Sequence, residues 1–224
     1  MSDFGAAAKD PHGGQRILAA GAPLGEARAA MVLVHGRGAT AESILQLAGE
    51  LDRPGFAYLA PQAAGYTWYP YPFLAPIPRN EPYLSSALGL VGAVVEHVAG
   101  AGIPAERLML LGFSQGACLT LEFTARNARR YGGIAGLTGG LIGPDGTPRD
   151  YPGSLDGTPV FIGSSDPDPH IPVSRVEESA AVLEGMGARV TTRIYPRMGH
   201  TVNEDELEQV RAMMDAVLAG SGPA

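Results

Sequence analysis

The stretch 107–113, Arg-Leu-Met-Leu-Leu-Gly-Phe, strings apolar residues together and then stops at Ser114. A run with no polar face makes a strand that must be covered on both sides. The residues that follow, from Ser114 through Cys118 and Phe123, read as a helix continuing to Gly132. A strand buried on both faces and followed at once by a helix is the repeating unit of a parallel sheet. The rest of the chain repeats that alternation. Strands are expected at 29–35, 56–61, 133–142, 158–166 and 188–196, and helices at 41–51, 83–102, 172–187 and 203–220. Helix 41–51 is assigned from Ile44, Leu45, Leu47, Ala48 and Leu51 recurring at helical spacing. Helix 203–220 opens on Glu204, Asp205 and Glu206, which suits the positive end of a helix dipole. The fold class is α/β, a mostly parallel central sheet with helices on both faces.

The 224 residues suffice for one large domain, placed at 15–219. Residues 1–14, which include His12, read as a mobile lead-in, and 220–224 as a tail. One segment breaks the alternation. Residues 62–83 hold Tyr66, Trp68, Tyr69, Tyr71 and Phe73 among repeated prolines, which prevent a regular helix or a central strand. A bare loop of this length is unusual and often functional. The net charge of −7 argues against nucleic acid or an anionic membrane surface as partner. The single cysteine excludes an intramolecular disulfide framework. Uninterrupted apolar stretches are far shorter than the roughly 18 residues of a membrane span, so no stable membrane insertion is expected. The N-terminus has no apolar core of signal-peptide length, and the expected compartment is the cytoplasm.

In an open parallel sheet, ligands bind beyond the carboxyl ends of the strands. Three loops at such ends carry reactive residue types. Ser114 follows strand 107–113, Asp166 and Asp168 follow 158–163, and His200 follows 188–195. Ser114 lies within Gly112-Phe113-Ser114-Gln115-Gly116. Such a frame needs glycine because the nucleophile sits in a strained strand-to-helix turn, where larger residues would strike neighbouring backbone. A serine hydroxyl needs a base, and imidazole, with an ordinary pKa of about 6.5, suits that task. A carboxylate on the other ring nitrogen fixes the tautomer. His200 is the candidate base, with Asp168 or Asp166 as its partner. The order Ser, Asp, His along the chain is that of the α/β-hydrolases. Backbone N–H groups of Arg37, in the glycine-rich turn His35–Ala39, and of Gln115 are candidate oxyanion donors. Cys118, one turn into the helix, reads as a small buried hydrophobe. His35 reads as a residue holding its loop, and His97 as a helix-face residue. No spacing of metal ligands is present, so neither metal nor other cofactor is expected.

These residues carry a resemblance. The segments Leu33–Ala39 (LVHGRGA), Leu110–Ala117 (LLGFSQGA), Ser165–Pro172 (SDPDPHIP) and Met198–His200 (MGH) are similar to those of the phospholipase/carboxylesterase group of α/β-hydrolases. That group includes acyl-protein thioesterases and small bacterial carboxylesterases. The resemblance implies a compact α/β-hydrolase fold without a large cap domain. It implies a serine hydrolase acting on small-molecule esters of small or medium acyl groups through an acyl-enzyme, with Ser114, Asp168 and His200 as its triad. Thioesters and lysophospholipids are the alternative substrates within the group; a non-catalytic binding protein on the same fold is the alternative outside it. Trp68, Tyr69, Tyr71, Phe73 and His170 are then expected at the substrate, with 62–83 serving as a lid, or else as a flap packed on the domain or used in a homodimer contact. Two departures bear on substrate preference. Arg37 stands where the group commonly has leucine, and Trp68-Tyr69-Pro70 where it often has Trp-Phe-Asp. An Arg37 side chain reaching the cleft would favour esters that carry a carboxylate.

Overall fold

The computed structural model describes residues 10–220. In chain order the elements are β1 (Ile17–Gly21), β2 (Ala29–Val34), α1 (Ala41–Leu51), β3 (Phe56–Pro61), α2 (Tyr83–Gly100), β4 (Leu108–Phe113), α3 (Gln115–Arg126), β5 (Gly133–Leu137), β6 (Pro159–Asp166), α4 (Val173–Gly185), β7 (Arg189–Pro196) and α5 (Glu204–Ala219). They build one seven-stranded sheet in the order β1-β3-β2-β4-β5-β6-β7. Only β1 runs antiparallel to its neighbour; every other pairing is parallel.

Strand alternation divides the core into two layers. Ala30, Val32 and Val34 of β2 face a cluster shared with α2, α3 and α4, whereas Ala29, Met31 and Leu33 face α1 and α5. All six β2 residues and all five of β5 are buried, as the apolar runs require. Because β2, β4, β6 and β7 are parallel, the loops carrying Arg37, Ser114, Asp168 and His200 all leave the same, carboxyl-terminal end of the sheet.

The structure departs from the sequence pattern at several points. β1, the short edge strand Ile17–Gly21, is not among the expected strands: its run Ile-Leu-Ala-Ala-Gly is apolar but short and ends in small residues, and it is largely exposed. α3 stops at Arg126 rather than near Gly132: Asn127 caps it, its side-chain Nδ2 donating to the Phe123 carbonyl. β5 ends at Leu137 rather than 142. Thr138 turns the chain with a positive φ of 58°, and the following glycines pack against α3 and α4, where a Cβ on Gly139 would meet Ala117 and one on Gly140 would meet Arg175. The stretch 62–82, up to the start of α2 at Tyr83, has no strand or α-helix, only short 3-10 turns at Ala64–Tyr66 and Ile77–Asn80.

The lead-in reading fails for the residues around His12. Residues 11–14 form a turn, and His12 is fully buried. Its backbone N–H donates to Ser86 Oγ, its Nδ1 accepts from the Ala64 N–H, and its Nε2 lies 2.9 Å from the Trp68 carbonyl. Residues 1–9 and 221–224 lie outside the described part. The expectation about membrane spans also changes. α2 is 18 residues long with a mean hydropathy of 1.3, long and apolar enough by length and composition to cross a membrane. It is packed on the sheet instead, with Leu84, Ala87, Val91, Val94, Val95 and Val98 buried. Its interspersed small and polar residues hide it from a search for unbroken apolar runs.

Candidate functional site

Ser114 sits between the last residue of β4 and the first of α3, with φ 55° and ψ −119°. That conformation is strained for a residue bearing a side chain, and strain of this kind persists only where the surroundings enforce it. The glycines are part of the enforcement. A Cβ on Gly112 would run into the Gly116 carbonyl, and one on Gly116 into the carbonyls of Val34 and His35. The turn is further held by the Ser114 N–H donating to Leu137 and the Cys118 N–H donating back to Ser114. In the His35–Ala39 turn, neighbouring N–H groups are occupied: Gly38 donates to Tyr66, and Ala39 to Gly36. The Arg37 and Gln115 N–H groups make no such turn or cap bond among the described residues.

His200 comes to this serine across 86 residues of sequence. Its Nε2 lies 2.8 Å from Ser114 Oγ, and its Nδ1 lies 2.8 Å from Asp168 Oδ2. The loop before it turns through Arg197 and Gly199, both with positive φ. It is tied to the end of β6 by the Gly199 N–H donating to Ser165 Oγ and the Arg197 N–H donating to the Asp166 carbonyl. The Asp168 side chain is fully buried, while that of His200 remains partly open. Burial alone would push the Asp168 carboxyl up. The hydrogen bonds to His200 and from the His170 and Ile171 N–H groups outweigh that and hold it below its ordinary value. Asp166 is exposed and makes no side-chain hydrogen bond among the described residues. The structure therefore brings Asp168, not Asp166, to the imidazole.

A cleft of about 370 Å³ opens beside Ser114. It is lined by Tyr69, Pro70, Pro72 and Phe73 of the 62–83 segment, by Cys118 and Ile171, and at its polar side by Arg37, Gln115, His170 and His200. The His170 ring meets His200 edge to face, with centroids 4.9 Å apart. Burial pushes the Cys118 thiol up to about 12, so it stays protonated and serves as apolar wall.

The phospholipase/carboxylesterase family model matches residues 16–218. The chain belongs to this family. A crystal structure of the phospholipase/carboxylesterase of Dyadobacter fermentans is 49% identical, with a TM-score of 0.86, covering 91% of this chain and 96% of that one. Among curated relatives, acyl-protein thioesterase 1 of Gibberella zeae is 34% identical over 124 residues, 54% of this chain and 52% of that protein. Carboxylesterase SOBER1 of Arabidopsis thaliana is 24% identical over 150 residues, 67% of this chain and 66% of that protein. The chain spans about half the length of the acyl-protein thioesterases it matches.

Within this phospholipase/carboxylesterase chain, two aromatic residues expected at substrate lie elsewhere. Trp68 is fully buried behind the cleft, and its indole N–H donates to the His35 carbonyl. An indole nitrogen pulled inside needs a buried acceptor, and that need turned the ring away from the pocket. Tyr71 points outward under the Arg79 guanidinium, which sits 4.2 Å from its ring centre. Tyr69, Phe73 and His170 do line the cleft. The segment carrying them is a packed wall. The Gln115 side chain accepts from the Trp68 N–H and donates to the Tyr69 carbonyl, and Thr67 Oγ1 reaches it as well. His35 holds the segment at Ala63, whose N–H donates to His35 Nε2, and His12 holds it at Ala64 and Trp68. No local pattern singles out His12 or the side-chain role of Gln115. Pro70, Pro72 and Ile171 carry no chemical signal beyond their loops.

Proposed function

We propose that this family member is a serine hydrolase of carboxylic esters, with Ser114 as nucleophile, His200 as general base and Asp168 as the acid that orients it. The observation that carries the reading is the continuous chain Ser114 Oγ, His200 Nε2, His200 Nδ1, Asp168 Oδ2, each contact 2.8 Å. In the tautomer that fits it, Nδ1–H donates to Asp168 and Nε2 accepts the serine proton. Ser114 Oγ then attacks the ester carbonyl, and the tetrahedral oxyanion is bound by the N–H groups of Arg37 and Gln115. Imidazolium, stabilised by buried Asp168, gives its proton to the departing alcohol. Water deprotonated by His200 attacks the acyl-enzyme, and collapse frees the acid and Ser114. The apolar wall of Tyr69, Pro72, Phe73, Cys118 and Ile171 supports small or medium acyl groups. The same steps cleave thioesters, a second reading that the acyl-protein thioesterase relatives favour. A fluorophosphonate probe tests the proposal: wild type is labelled, and Ser114→Ala, folded by circular dichroism, is not. Unlabelled wild type, or labelling that persists in the variant, overturns it.

A further inference from the structure

Among the described residues, Arg37 is the one full cation lining the cleft, and no Asp or Glu lines it. Its guanidinium is fixed in place. Nη2 donates to the Tyr69 carbonyl at 2.9 Å and the Tyr71 carbonyl at 3.0 Å, while Nη1 donates to the Pro70 carbonyl at 3.1 Å. These contacts orient the group without neutralising it, because all three acceptors are uncharged. No carboxylate lies within ion-pairing distance of Arg37 among the described residues. Guanidinium has five N–H donors, so the three bonds leave two unused. His170 adds a second nitrogen-bearing ring to the same cleft. The site's own carboxylate, Asp168, is buried behind His200 and accepts from His200 and from the His170 and Ile171 N–H groups.

We propose that the oriented, uncompensated guanidinium of Arg37 selects esters that carry a carboxylate, giving the cleft a preference for monoanionic over neutral substrates. The inference rests on the ester-hydrolase reading and names its substrate class. The chain's net charge of −7 does not defeat it. At physiological salt, exposed charges more than about 8 Å apart are largely screened, so the cation at the cleft outweighs acidic groups elsewhere on the surface. The two N–H groups left over are on Nε and Nη1, and either can donate a single charge-assisted bond to a carboxylate.

Two matched substrate pairs test this. In the first the charge is on the acyl side: the p-nitrophenyl monoester of glutaric acid against p-nitrophenyl pentanoate. In the second it is on the alcohol side: the pentanoate ester of 4-hydroxybenzoate against that of 4-hydroxybenzamide. The quantity read is the ratio of kcat/KM, anionic over neutral. In at least one pair the ratio is expected to fall about tenfold in Arg37→Gln, the worth of one charge-assisted hydrogen bond, and to recover in Arg37→Lys. In wild type the same ratio is expected to fall as salt rises from 20 to 500 mM, a readout that stands if Arg37→Gln is inactive or fails to fold. Ratios in both pairs that change neither with salt nor with Arg37 overturn the inference while leaving the hydrolase reading intact. Absence of any Ser114-dependent hydrolysis of all four esters defeats the hydrolase reading itself.

Discussion

Replacing Glu206 by glutamine is expected to stabilise the protein, and increasingly so as pH rises. Glu206 is the third residue of α5, just beyond the loop that carries His200, and it has no exposed surface. Its Oε2 accepts from the Asn203 N–H, completing a capping box, while Oε1 has no partner among the described residues and packs against the bare Cα of Gly163. Burial raises its pKa from 4.5 to about 7; the Asn203 N–H pulls it down, and neighbouring Asp205 pushes it up. Below pH 4.5 both folded and unfolded chains hold the proton. Between 4.5 and 7 the unfolded chain releases it and the folded one keeps it, so stability is lost as pH rises through that window. At about 1.4 kcal/mol for each pH unit, the loss amounts to about 3 kcal/mol above pH 7. Glutamine stays neutral throughout and still offers Oε1 to the Asn203 N–H. Urea unfolding of both proteins at pH 5 and pH 8 reads the effect, since other titrating groups cancel in the difference. The variant's advantage should be larger at pH 8 by about 2 to 3 kcal/mol. An equal difference at the two pH values, or a variant that loses ground at pH 8, refutes the reasoning.

Two further outcomes separate local roles. Asp168→Asn should lower turnover of p-nitrophenyl pentanoate by about 10⁴-fold, because the amide no longer fixes the productive imidazole tautomer, whereas Asp166→Asn should leave turnover within about twofold, as an exposed side chain away from the imidazole implies; the opposite ranking would move the acid role to Asp166. Gly116→Ala should destabilise the protein by about 3 kcal/mol, since its Cβ meets backbone carbonyls that cannot yield, while Gly49→Ala in α1, where a Cβ meets nothing within 4 Å, should stabilise by about 0.5–1 kcal/mol; matching urea midpoints for the two variants would refute the steric account.

The sequence by itself determined the layers and the place of the site. Runs such as Met31–Val34 and Leu108–Leu111 have no polar face, so they could only become strands covered on both sides. The spacing of Gly112, Ser114 and Gly116 marked the strained turn, because the glycines meet backbone within a few residues of themselves or at the adjoining strand β2. Ends and edges were less legible. β1 is a short run, Ile-Leu-Ala-Ala-Gly, too brief and too rich in small residues to mark a strand, and the end of α3 turns on one asparagine. Tertiary structure alone decided among loop residues. Asp166 and Asp168 stand two positions apart with the same chemistry, and only the fold of the β6 and β7 loops turned Asp168 toward His200. Trp68 faces inward because it found the His35 carbonyl 33 residues away, and His12 is buried because its ring bridges Ala64 and Trp68. Arg37 reads locally as part of a tight turn, yet its guanidinium is fixed by carbonyls 32 to 34 residues distant. The physical reason is that strand and helix periodicity encode which face a side chain buries. In a loop no period exists, and direction is set by hydrogen bonds to partners that only the finished fold brings near.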